Sequence, residues 1–195
     1  KTLPNLELEE ESSSTAKGNK ATYTMRNLPP VPDEPDRFPF ADLACRVKMV
    51  PIKSFLGSVP WPLYESWLSV MELAIGNDEY GYTHFQRKRR SATSRARELA
   101  ASGSSPRDTA EALYRWVRDE VEDTDDDNIW VGLQNADTVL EERKGDTAGQ
   151  ALLLHTMLDA VKIRARVAWT TPRHHGRIQP KVSDPSQLET VLVVV

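Results

Sequence analysis

The spacing of apolar residues changes along the chain, from a repeat of two near the start to a repeat between three and four further on. Leu6 and Leu8 alternate with acidic neighbours, Ala16-Lys17-Gly18-Asn19-Lys20 has turn chemistry, and Thr22 to Met25 is β-prone. A hairpin is the simplest prediction. The stretch Pro29-Pro30-Val31-Pro32-Asp33-Glu34-Pro35 follows. Its prolines lack backbone donors and hold φ near about −65°, so it is predicted to be an extended, stiff connector outside any central strand. Leu43, Cys45, Val47 and Met49 then share one face while Arg46 and Lys48 take the other, the pattern of a half-buried strand with Cys45 in the core.

From Trp61 the period becomes helical, with Leu63, Trp67, Val70 and Leu73 or Ala74 on one stripe and Gly76 as a stop. A second helix is predicted over about Gln86 to Ala101, ending near Gly103. The third has the clearest start: Ser105 as N-cap, Pro106 in the first turn, Asp108 three residues past the cap, and Ala110, Leu113, Trp116 and Val117 facing a core. Beyond the acidic loop Asp123 to Asn128, Gly145-Asp146 leads into a helix from Thr147 to Val161, buried through Leu153, Leu154, Met157, Leu158 and Val161. Two strands are expected after it, Ile163 to Thr170 and Glu189 to Val195, with a polar loop from Pro172 to Ser186 between them.

Several segments resemble parts of a known family. Asn135-Ala136-Asp137-Thr138-Val139-Leu140-Glu141-Glu142-Arg143-Lys144-Gly145-Asp146-Thr147 is similar to the segment of transglutaminase-like proteins that runs into their Gly-Asp-Cys motif. Ala151 to Leu154, Leu158, and Ile163 to Val167 look like that family's helix, short turn and strand. Gln187-Leu188-Glu189-Thr190-Val191-Leu192-Val193 resembles its strand around the catalytic histidine. Upstream, Tyr23 to Phe55, with Asn27-Leu28-Pro29 and Asp33-Glu34-Pro35, is similar to the end of a β-rich domain that precedes transglutaminase-like domains in bacterial envelope proteins.

The resemblance implies an α+β fold, a papain-like transglutaminase core in which the central helix packs on an antiparallel sheet. It divides the chain into a partial β-rich module with its Pro-rich connector, residues 1–55, and the core, residues 56–195. It puts Thr147 in the place of the catalytic cysteine and Thr190 in the place of the histidine. The third residue of the triad, an aspartate, would fall beyond Val195. Asp146, Trp130 and Gln134 become candidates for lining the former cleft, with core packing an equal reading for Trp130.

The family's layout has a physical reason. A cysteine at a helix N-terminus gains from the positive end of the dipole and from a nearby imidazolium, both of which favour thiolate. A threonine gains too little. The helix terminus is worth at most about 2 kcal/mol, while an alcohol ionises about as reluctantly as water, far above the range of a thiol. An internal Thr147 has no amine of its own to act as base, and Thr190 is not a base. The resemblance with both residues changed therefore implies a catalytically degenerate module that binds or scaffolds an unidentified protein or peptide. The alternative is an active acyltransferase or peptidase with a non-standard nucleophile.

No other residue type supplies obvious chemistry. His155 lies eight residues after Thr147, more than about 10 Å along the helix axis, and reads as a partly exposed helix histidine. His174-His175 sits in a loop and lacks the spacing of a metal-ligand pair. An EF-hand loop starting at Asp123 would need Gly where Asn128 stands and Glu where Gln134 stands, so no metal is expected and no cofactor is called for.

Composition narrows the partners. With 39% hydrophobic and 28% charged residues the chain of 195 residues is an ordinary globular sequence, and its net charge of −4 argues against polyanionic partners. Arg87-Lys88-Arg89-Arg90, Arg95 and Arg97 make a basic helix without interleaved aromatics, better read as a solvated face than as a nucleic-acid site. A lone cysteine leaves no internal disulfide, and no apolar run approaches the ~18 residues of a membrane span. The abrupt start and the β-branched end, Val191 to Val195, suggest a piece of a longer protein, and the resemblance alone points to the bacterial periplasm or envelope.

Overall fold

The structure, a computed structural model, describes residues 7–15, 18–28, 30, 50–56, 59–62, 64–76, 89–101, 103–124 and 135–195. Two compact units make up the chain: Lys1–Met49 with Arg173–Arg177, and Val50–Pro172 with Ile178–Val195.

In the first unit, strands β1 (Glu7–Thr15) and β2 (Gly18–Arg26) form the predicted hairpin, paired antiparallel from Glu7↔Arg26 to Thr15↔Gly18. The predicted strand around Leu43 to Met49, Cys45 and all but one residue of the proline-rich connector lie outside the described residues.

The second unit begins with a short antiparallel hairpin, β3 (Lys53–Leu56) and β4 (Val59–Pro62). This corrects the sequence-based expectation of a helix from Trp61. Pro60 and Pro62 fix their own φ and push the residues before them out of the helical region, so the backbone stays extended there. Helix α1 (Trp67–Gly76) starts only after Ser66, whose hydroxyl accepts the Ser69 N–H at 3.1 Å.

Helix α2 (Arg90–Ala100) is shorter than predicted, because Arg89 is extended at φ −116°. Arg89 caps nothing; instead the carboxylate of Asp137, 45 residues away, accepts the N–H of Ala92 at 2.9 Å. Helix α3 (Pro106–Glu120) starts as the sequence predicts, the Ser105 hydroxyl accepting the Asp108 N–H at 3.1 Å. A second hydroxyl, Ser104, donates to the Asp108 carboxylate and holds it below its ordinary pKa. The chain then makes a small parallel ladder, β5 (Glu122–Asp123) on β6 (Lys144–Gly145), on either side of the undescribed residues 125–134 and helix α4 (Ala136–Glu142).

Helix α5 (Thr147–Ala160) is the centre of the unit. It packs against α2, α3, α4, β7 (Arg166–Thr170) and β8 (Thr190–Val194). Leu152, Leu153, Met157 and Leu158 are at most 1% exposed, and Ala92 and Ala96 on α2 are fully buried, small side chains that allow close helix approach. Strands β7 and β8 pair antiparallel from Arg166↔Val194 to Thr170↔Thr190, so the central helix lies on an antiparallel sheet as expected. Strand β7 starts three residues later than predicted. The Ile163 N–H is taken by the Leu158 carbonyl at 3.0 Å, so this residue completes the end of α5 rather than opening a strand.

Because Asp137 supplies the cap that α2 cannot supply for itself, Asp137→Ala is expected to cost about 0.5–2 kcal/mol of stability. Urea unfolding should show a lower midpoint with an unchanged slope.

Candidate functional site

Among the described residues, the hydrogen bonds around Gly145-Asp146-Thr147 fix where α5 begins. Helix α4 is capped by Asn135, whose side-chain oxygen accepts the Thr138 N–H at 3.1 Å, and ends at Arg143 in the left-handed region, φ 55°. The Arg143 guanidinium lies 4.6 Å over the ring of buried Trp116, with Arg95 at 5.2 Å, and donates to Glu120 at 3.0 Å. The turn thus directs the chain into β6, where the Arg143 carbonyl accepts the Glu122 N–H and the Gly145 carbonyl accepts the Thr124 N–H.

Two bonds then close the helix start. The Gln150 side-chain amide donates to the Gly145 carbonyl at 3.1 Å, and the Asp146 carboxylate, at the N-cap, accepts the Gly149 N–H at 2.6 Å. Thr147 is the first helical residue and is half-buried; Ala148 and Gly149 behind it are buried. Asp146 therefore acts here as a cap, a role that its place directly before the helix signals in the sequence.

Thr190 opens β8, opposite Thr170 of β7, and the neighbouring Glu189 N–H donates to the Thr170 carbonyl at 2.8 Å. Val191, next along the strand, is buried at 2% exposure. The loop that delivers Thr190 is built rather than loose. The Gln187 side chain bridges it, accepting the Gln179 N–H and donating to the Val182 carbonyl, both at 2.7 Å. Asp184, buried, accepts from the Ser186 N–H and hydroxyl. The loop is also tied to the α1 region, through Ser183 Oγ to the Tyr64 carbonyl at 2.6 Å and Trp67 Nε1 to the Pro180 carbonyl at 2.8 Å. Sequence reading treated this loop only as polar; the signal for its order was Asp184-Pro185-Ser186, a side-chain cap followed by a residue with preset φ.

Thr147 thus opens the helix and Thr190 opens the strand on which that helix packs. The other cleft candidates, Trp130 and Gln134, lie outside the described residues. Among the described residues no group of histidine, cysteine and carboxylate side chains could hold a metal, and no helix is long and apolar enough to cross a membrane.

Comparison with known proteins supports the fold. Residues 93–187 match the profile of the Transglutaminase-like superfamily, a span that runs from α2 through the loop before β8. The chain carries a transglutaminase-like domain. A crystal structure from Parabacteroides distasonis ATCC 8503, of a protein described as a candidate protease, is similar to this chain with a TM-score of 0.59 at 16% sequence identity. The similarity covers 97% of this chain and 33% of that one, so this chain spans about a third of that protein's length. No curated protein matches the sequence.

His174 and His175 form a T-shaped ring pair, centroids 4.0 Å apart, in an exposed turn over Arg173–His175. His155 sits on α5 two turns beyond Thr147, half-buried. Burial pushes its imidazole below the ordinary value of 6.5, against the opposing pull of Asp159 and a hydrogen bond to the Ala165 backbone. A histidine depressed in the folded state binds its proton less readily there than when unfolded. Stability of the transglutaminase-like domain is therefore expected to be full above about pH 6.5 and to fall as pH drops from there through the lower folded value. Thermal unfolding followed against pH should show this slope, flattened in His155→Gln.

Proposed function

We propose that the transglutaminase-like domain of this protein is catalytically degenerate and serves as a binding or scaffolding module for a protein or peptide partner. The observation that carries this reading is the residue at the start of α5: Thr147 stands where the resemblance places a cysteine, and the only cysteine of the chain, Cys45, falls outside residues 93–187. The helix terminus supports anionic oxygen or sulfur by about 2 kcal/mol at most, or about one and a half pH units. That brings a thiol of ordinary value about 8.5 into a useful range but leaves an alcohol many units short. Part of that terminus is already committed, since the Gly149 N–H is bonded to Asp146. Thr190, in the place of the histidine, offers a hydroxyl that neither accepts nor returns a proton near neutral pH. The division into residues 1–55 and 56–195, and a bacterial envelope setting, extend the proposal on the resemblance alone.

Incubating the full chain with amine donors and glutamine-bearing peptides is expected to give neither turnover nor an acyl adduct by intact mass. Turnover that disappears in Thr147→Ala would overturn the proposal. The converse substitutions test the two positions directly. Thr147→Cys combined with Thr190→His should give a thiol that is alkylated at lower pH than in Thr147→Cys alone. Identical alkylation profiles would mean that Thr190 does not occupy the place of the base.

A further inference from the structure

Among the described residues of the second unit, two non-glycine residues hold φ in the left-handed region, Arg143 at 55° and Lys162 at 63°. The conformation is unfavourable for any residue with a Cβ, and glycine adopts it freely. Arg143 has a visible compensation, its stack on Trp116 and its bond to Glu120. Lys162 has none of that kind. It follows Val161, the C-cap of α5; its N–H donates to the Asp159 carbonyl at 3.0 Å and the next N–H, of Ile163, donates to the Leu158 carbonyl at 3.0 Å. This pair of bonds is the Schellman ending, in which the left-handed position is most often glycine. A lysine at such a position, in place of glycine, points to a use for its side chain.

The surroundings suggest the use. Lys162 lines a cavity of about 310 Å3 together with His155, Asp159, Ile163, Arg164 and Ala165. Among the described residues of the same unit, some basic side chains find acidic partners, Arg95 with Glu98, Arg115 with Glu111, Arg118 with Asp119, Arg143 with Glu120 and Lys144 with Glu122, while others, such as Arg97, Arg107 and Arg166, make no such pair. Among the described residues, Lys162 and Arg164 make no such pair, although the Asp159 carboxylate lines the same cavity. The helix end would ordinarily repel an anion, but two of the carbonyls that carry its negative charge, those of Leu158 and Asp159, are already bonded to backbone N–H groups.

We propose that this cavity is a binding site for a small ligand that carries a carboxylate or phosphate group, held by the Lys162 ammonium and the Arg164 guanidinium. A guanidinium presents two parallel donors to such a group and an ammonium adds a compact point charge. Asp159 provides an acceptor for a hydroxyl or ammonium on the same ligand, and His155 forms the half-buried wall. The volume lies at the lower end of the small-molecule range of about 300–1,000 Å3, so the ligand is a metabolite-sized anion rather than a polymer. The site is separate from Thr147, about 20 Å further along the axis of α5.

The test uses the full chain at low ionic strength with two probes, inorganic phosphate and acetate, which distinguish the two anionic groups. Calorimetry and the imidazole NMR signals of His155 should report saturable binding in the millimolar range for at least one of them. Each charged hydrogen bond lost weakens binding by roughly tenfold or more, which is the effect expected of Arg164→Gln. Lys162→Gly should weaken binding to the same degree while leaving the melting temperature equal or higher, because glycine removes the backbone strain along with the charge. Arg107→Gln, on α3, should bind as the wild type does. No saturable response to either probe, or equal binding by wild type and both cavity variants, would overturn the proposal.

Discussion

A helix that is packed over most of its circumference has little freedom to shift, and α5 is such a helix. Its contacts run to three other helices and to both strands of the β7–β8 sheet. Sliding it by one residue would turn its side chains by about 100° and put polar groups against Leu113, Val139 and Val191. Burying an unpaired polar group costs about 1–3 kcal/mol and emptying a large aliphatic site about 2–5 kcal/mol, so few such errors fit within the stability of a domain. The location of Thr147 follows from this packing before any cap is considered. The bonds from Asp146, Gln150 and Thr124 then refine it from one end.

Such packing holds the frame of the site independently of which side chain stands at the start of the helix. Packing of the helix body depends on Leu152, Leu153, Met157 and Leu158, whereas Thr147, at its first position, is only half-buried. Thr190 is likewise the first residue of its strand, while the buried anchor is the adjacent Val191. Residues that hold the frame and residues that would act in it are neighbours in sequence but separate in energetic role.

How much of this was legible in the sequence depends on the range of the interaction concerned. Helix α3 was readable at its start because Ser105, Pro106 and Asp108 are local signals, each acting within one turn. Helix α5 was readable from its apolar body and the Gly-Asp pair before it. The β7–β8 pair was readable from β-branched runs, apart from the residues at Ile163 to Ala165 that the helix ending claims. What escaped is non-local or geometric. The stripe from Trp61 to Ala74 fitted a helical repeat, yet the prolines at 60 and 62 overrule periodicity. The start of α2 depends on a carboxylate from another helix, and the order of the loop before Thr190 depends on Tyr64 and Trp67, more than a hundred residues away in the chain. Of the candidate site, Thr147, Asp146 and Thr190 were singled out through the resemblance, whereas the charged residues Asp159, Lys162 and Arg164 have no motif to announce them.

The cap that Asp137 provides for α2 also bears on how the molecule assembles. A segment of eleven residues is shorter than an isolated helix needs in water, and this one begins without an acceptor of its own. During synthesis Ala92 leaves the ribosome well before Asp137 does, so for that interval the segment has no means of closing its first turn. Its helix is expected to consolidate only when α4 docks, making these two elements a single cooperative step rather than a sequence of local ones.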